Sequence, residues 1–191
     1  MLIDISKNID KNVAVYPGDP AYKIEKICTL QNEGYEVSKI TLGSHFSTHI
    51  DSPRHFYADG KDIASEPLDV FCGMAKVVSV TEINSDFLKN IMSDKFEILL
   101  FKTNNKNFGL SCNAAKVISA SHIKMCGTEN DDIESCLNND FPVHRILLAK
   151  NILILENIDL KNVPEGIYKL YCFPLKITGC DASPVRAVLE V

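Results

Sequence analysis

The stretch His45-Phe46-Ser47-Thr48-His49-Ile50-Asp51-Ser52-Pro53-Arg54-His55 holds three of the chain's five histidines. Positions 45, 49, 51 and 55 are all odd, and in extended chain alternate side chains share a face. On a helix, at about 100° per residue, the His45 and His49 pair would lie roughly 200° from the Asp51 and His55 pair. Pro53 also disfavours helix at Ser52. The stretch therefore reads as extended chain offering three imidazoles and a carboxylate to one place. A straight strand would part His45 from His49 by roughly 13 Å at ~3.3 Å per residue, so a curl or bulge is expected. Two imidazoles and a carboxylate are the usual ligands of a divalent catalytic metal with open positions. A polar loop or satisfied core histidines would explain one such residue better than three in phase with an Asp. The spacing matches neither H-E-x-x-H on a helix nor a zinc finger.

Outward from this run, the first half of the chain is strand-like. Leu2–Ile5, Val13–Tyr16, Lys23–Leu30, Glu36–Leu42 and Ala75–Val80 are short, rich in β-branched residues and bounded by turn residues. Helices are expected over Ser85–Met92, Asn113–Lys124 and Phe141–Lys150, the last capped by Asp140 or Asn139 with Pro142 in its first turn. Phe96–Lys102, Ile152–Leu155, Ile167–Thr178 and Val185–Val191 read as further strands, and Thr128–Asp140 as a surface loop. Strands and helices mix without strict βαβ alternation, and no repeat or linker divides residues 1–191, so one mixed α/β domain is expected.

The 191 residues are 46% hydrophobic and 24% charged, with a net charge of −5. That balance argues against an electrostatic grip on nucleic acid or an anionic membrane. Apolar runs such as Ile98–Phe101 are too short to span a bilayer, and the acidic N-terminus lacks a signal-peptide core. Seven scattered cysteines without a C-x-x-C pair read as reduced thiols in the cytoplasm. Neither nucleotide-binding glycine motif occurs.

Two further residues draw attention. His144 shares a helical face with Phe141 and Leu148, which taken alone suits a core histidine better than a ligand. Glu156 follows four apolar residues at the end of an expected buried strand, where a carboxylate needs solvent, a cation or a metal. His122 has no partners in register and reads as a surface residue.

The run from His45 to His55 resembles H-x-G-T-H-x-D-x-P-x-H, the motif of the cyclase family that includes bacterial kynurenine formamidase. Val15-Tyr16-Pro17-Gly18-Asp19-Pro20 is similar to that family's opening turn. His144-Arg145-Ile146-Leu147-Leu148, Glu156, Phe173-Pro174-Leu175 and Asp181-Ala182-Ser183-Pro184-Val185-Arg186-Ala187 are similar to its closing blocks. The resemblance covers nearly the whole chain. It implies that His45, His49, Asp51, His144 and Glu156 hold one or two divalent ions, usually zinc with manganese as an alternative, and that His55 is the catalytic histidine. It also implies a swivelling β/β/α fold and a homodimer or homotetramer. Ser47 stands where the family usually has glycine, and Ala182 replaces a common glycine, but no ligand position is substituted.

These parts imply hydrolysis of an amide C–N bond by metal-activated water, with His55 moving the proton. The small-molecule substrate expected from the resemblance is an arylformamide such as N-formylkynurenine. A cyclic amide or lactone such as isatin, and a metal-binding relative without turnover, are the alternatives. Tyr16, Phe46 and Phe56 flank the motif blocks and are candidates for an aromatic wall, although ordinary core packing would explain any one of them equally well.

Overall fold

The computed structural model describes residues 1–93, 95–103, 105, 107–134 and 140–191. Its strands are β1 (Leu2–Asp4), β2 (Lys23–Cys28), β3 (Val37–Thr41), β4 (His49–Asp51), β5 (Cys72–Ser79), β6 (Ile98–Lys102), β7 (Met125–Thr128), β8 (Leu153–Glu156), β9 (Gly166–Tyr171), β10 (Ala182–Pro184) and β11 (Val188–Glu190). Three helices, α1 (Ser85–Ile91), α2 (Cys112–Ser119) and α3 (Pro142–Leu148), fall between β5 and β8.

Nine strands form one mixed sheet in the order β1-β11-β9-β5-β6-β7-β8-β4-β10, while β2 and β3 make a separate antiparallel hairpin. The central strands β5 to β8 run parallel to one another. A parallel strand in the middle of a sheet is covered on both faces, which is why β6 can be an unbroken apolar run. Its side chains alternate between two cores. Leu99 and Phe101 pack with Leu88, Ala115, Ile118 and Leu147 under the helices. Ile98 and Leu100 pack on the other face with Ile50, Phe71, Val77 and Leu155. The mixed α/β class expected from the sequence is the class observed.

Several local expectations are corrected. The middle of the chain does alternate strand and helix from β5 through β8, because Met125–Thr128 is a buried strand and α2 ends at Ser119. Residues Val13–Tyr16 are irregular and run beside the cleft described below instead of joining a sheet. The stretch Ile167–Thr178 stops being strand after Tyr171. Helix α3 is not capped by Asp140; Phe141 precedes it in the left-handed region with φ 44° and no side-chain cap. The Asp140 carbonyl instead accepts a hydrogen bond from Arg145 Nε at 3.0 Å, and Asn139 lies outside the described residues. By contrast α1 and α2 have ordinary caps, Asn84 and Ser111, whose side chains accept from the backbone N–H three residues on.

No helix among the described residues is long and apolar enough to cross a membrane. The six described cysteines are free thiols, with Cys126 and Cys172 buried; Cys136 lies outside the described residues.

Candidate metal centre

Strand β4 carries the centre, lying between β8 and β10 near one edge of the sheet. His49 and Asp51 are two apart on it and so share a face. The antiparallel register sets Glu156 of β8 directly opposite His49, which brings its carboxylate to the same face. His45 reaches them because the chain turns before β4, with Ser47 at φ 61°. After β4 a single 3-10 turn, Pro53–His55, swings His55 back towards them. That turn is pinned from outside: a Cβ at Gly60 would lie 2.6 Å from the Pro53 carbonyl carbon, so only glycine admits this approach. The curl expected around β4 is thus two separate turns. Helix α3 supplies His144 from above.

The side chains form two ligand groups that share Asp51, namely His45, His49 and Asp51, and Asp51, His144 and Glu156. Asp51 Oδ1 lies 2.8 Å from His45 Nδ1 and 3.4 Å from His49 Nε2. Its other oxygen, Oδ2, lies 3.6 Å from His144 Nε2. Glu156 closes the gap, 3.4 Å from His144 Nε2 and 3.5 Å from His49 Nε2. All but His45 are buried.

Three polar atoms at the centre make no hydrogen bond: His49 Nε2 and both carboxylate oxygens of Asp51 are buried without one. Leaving such groups unsatisfied costs about 1–3 kcal/mol each, more when charged. Imidazole nitrogens and carboxylates around one small volume are the donor set of a divalent cation, and a cation there would satisfy all three atoms. The residues therefore fit a divalent metal.

Electrostatics agree. Burial opposes charging His45, His49 and His144, yet their carboxylate neighbours outweigh it and raise them to about 10, 9 and 11. For Asp51 and Glu156 burial likewise opposes ionisation, and the surrounding imidazoles still hold both carboxyls below their usual range. The pocket's negative charge favours positive charge beside it, as protons or as a cation. Asp132, at the lip, is pushed up to about 6 by burial and by the charge of Glu156.

Every candidate ligand except Asp51 is held from behind, as metal-binding histidines generally are. His49 Nδ1 meets the Ser47 carbonyl at 2.9 Å. Glu134 takes both the His144 backbone N–H at 2.8 Å and its Nδ1 at 3.1 Å. Glu156 Oε1 accepts the backbone N–H of Ile133 at 2.8 Å. Asp181 accepts from His45 Nε2 at 2.8 Å and from His55 Nδ1 at 3.1 Å. Sequence reasoning missed Glu134 and Asp181 as parts of the site. Glu134 sits in a stretch whose acids suggest only a surface loop, and Asp181 was visible only as part of a closing motif.

The centre lies in a cleft of about 630 Å³. His55 and Phe56 line it, and exposed Tyr16 stands beside it. Phe46 does not reach the cleft; it is buried and stacked on Tyr22 at 5.6 Å. A further aromatic residue, Phe141, takes part instead, 5.5 Å from the Phe56 ring and 5.8 Å from that of His144. His122 stays apart from the site, bound to the Phe96 carbonyl at 2.8 Å.

The Cyclase family model matches residues 3–135, most of the chain and the whole of the His45–His55 run. The chain belongs to the cyclase family. Among cyclase-family relatives, a kynurenine formamidase of Bacillus mycoides (strain KBAB4) is 32% identical over 98% of this chain and 96% of its own length. One from Salinibacter ruber is 32% identical over 99% of this chain and 97% of its own. A structure described as a predicted metal-dependent hydrolase from Bacillus stearothermophilus superposes with a TM-score of 0.83 at 28% identity, covering 99% of this chain and 97% of that one. Isatin hydrolase A from Labrenzia aggregata shares the fold, with a TM-score of 0.86 at 20% identity over 99% of this chain and 93% of that one.

Proposed function

We propose that this cyclase-family protein is a metal-dependent amidohydrolase that cleaves an arylformamide of the N-formylkynurenine type to formate and an arylamine. The observation that carries the reading is the pair of ligand groups sharing Asp51, with its buried unpartnered atoms, set beside a histidine in one cleft. The likeness to kynurenine formamidases over almost the full chain supports the substrate class.

His45, His49 and Asp51 would hold one ion and Asp51, His144 and Glu156 a second, with zinc favoured and manganese compatible with the same donors. Such ions, when bound, supply a water activated near neutral pH and polarise the formyl carbonyl. The remaining work falls to side chains. With Nδ1 on Asp181, His55 has Nε2 left to accept a proton from the water and return it to the departing nitrogen as the C–N bond breaks and the C–O bond forms. Phe56 and Phe141 offer faces to the aryl group, with Tyr16 at the rim.

The reading extends to the rest of the protein as one cytoplasmic domain over residues 1–191, assembled as a homodimer or homotetramer. The hairpin supports assembly, since Ile24, Ile27 and Ile40 stand exposed on it. Light scattering at micromolar protein checks this, and a monomeric mass would refute it.

The deciding experiment is a hydrolysis screen of metal-replete protein against formanilides, N-formylkynurenine, isatin and simple lactones. Turnover of the first two is expected to exceed the others. Preference for isatin would move the substrate class to cyclic amides. Absence of turnover on all four, with metal bound, would leave a binding protein.

A further inference from the structure

Asp181 touches both halves of the proposed machinery and has no assigned role. It lies immediately before β10, whose register pairs Ala182 with Asp51, so the backbone of Asp181 is fixed relative to the metal centre. Its carbonyl accepts from the Ser52 backbone N–H at 2.9 Å and from Ser52 Oγ at 2.8 Å. Its carboxylate Oδ1 accepts from Ser44 Oγ at 3.0 Å. The other oxygen, Oδ2, faces two imidazole nitrogens together, His45 Nε2 and His55 Nδ1. Those two rings lie only 4.2 Å apart between centroids. One residue therefore holds Ser44, His45, Ser52 and His55, which span the whole motif run.

We propose that Asp181 is a positioning residue that sets the proton arrangement of His45 and His55 through a single carboxylate oxygen. A carboxylate oxygen only accepts, so each nitrogen facing it must carry hydrogen. For His45 this puts hydrogen on Nε2, so that Nδ1, which faces Asp51 Oδ1 at 2.8 Å, is the atom that would give up its hydrogen to a bound metal. For His55 it puts hydrogen on Nδ1 and leaves Nε2 as the proton-accepting atom. An imidazole with the opposite tautomer would turn N–H where a lone pair is needed. The same oxygen thus aligns a metal ligand and the proton carrier, and it couples their orientations. The inference rests on the functional reading for the purpose of the arrangement, but not for the arrangement itself.

The test separates the two. Nitrogen-15 spectra of the imidazoles, assigned with His→Ala variants and recorded where the rings are neutral, report the tautomer directly. Wild-type His55 is expected as the Nδ1–H form, and Asp181→Asn, which keeps the shape but can present N–H to the rings, is expected to shift it towards Nε2–H. At saturating zinc Asp181→Asn should lower kcat by roughly 10–100-fold, the usual effect of losing such an outer partner, with KM changed less than about threefold. In a His55→Ala background the same substitution should cost several-fold less in kcat, only what the His45 contact contributes at saturating zinc. Unchanged tautomers in Asp181→Asn, or an equal kcat loss with and without His55, would overturn the proposal and leave Asp181 a purely structural clamp. The tautomer of His55 is read without substrate, so an inactive wild type would sink the hydrolase reading and leave this result standing.

Discussion

The two halves of the candidate metal centre are built in opposite ways. His45, His49 and Asp51 come from one short piece of chain, joined by a left-handed turn at Ser47, and the His45 side chain is still 20% exposed. Asp51, His144 and Glu156 come from three elements, β4, α3 and β8, and their side chains are 5% exposed or less. The first half needs only local geometry. The second exists only when the sheet has formed and α3 has packed on it, so metal binding there would also be folding energy. Asp51 belongs to both, through different oxygens, and makes one centre of them.

The comparison can be broken most sharply at the shared residue. Asp51→Asn keeps the volume but removes the charge that both halves use. It should reduce metal content, measured by elemental analysis, to background and hydrolysis to the buffer rate. Retained metal at the wild-type level would disprove the bridge.

Truncating one half should leave the other. His144→Ala is expected to bring the metal content from about two ions per chain to about one, because His45, His49 and Asp51 remain as a three-ligand site. His45→Ala should do the same with the buried half surviving. Complete loss in both variants would mean a single ion that all five ligands share. Dialysis against a chelator should empty the exposed half first, since its His45 edge meets solvent.

A smaller effect is expected behind the ligands. Among the described residues the Glu134 carboxylate binds His144 alone, so Glu134→Gln should weaken the buried site by roughly 10–100-fold while leaving the exposed one unchanged. Metal titration followed by calorimetry resolves the two events, and equal weakening of both would argue against independent halves. The smallest effect belongs to the turn. Ser47→Gly relieves the left-handed strain but loses the Ser47 hydroxyl bonds to the Lys7 and Asn8 carbonyls, so stability in urea should move by less than ~1 kcal/mol. Ser47→Val, which adds a β-branch at φ 61°, should instead cost about 1–3 kcal/mol and loosen the exposed half first.

The same division explains what could be read in advance. Alternation is a local property and does set His49 and Asp51 on one face of β4, but His45 and His55 join them through the turns on either side and not by alternation. The two turns were legible only as a need for curvature. His144 and Glu156 each had an ordinary explanation, a core histidine and an exposed strand tip, and became ligands only through resemblance. Glu134 and Asp181 carried no spacing signal at all. Strand β7 was hidden because apolar residues continue past the end of α2 and Met125-Cys126-Gly127-Thr128 contains little β-branched character. Phe46 looked like a cleft residue by its place beside His45, but the turn through Ser47 sends it to the interior against Tyr22.

What the chain's order alone determined is the grouping of His45, His49 and Asp51 as candidate ligands, the extended chain at His49–Asp51 and the mixed α/β class, because each depends on neighbours within a few residues and on period. Only the tertiary structure decided that Glu156 lies across from His49, that Glu134 and Asp181 stand behind the imidazoles, and that Phe141 replaces Phe46 at the cleft. Those relations are fixed by strand register and helix packing, which are settled by burying two apolar faces of one sheet at once and leave no trace in the spacing of the residues they bring together.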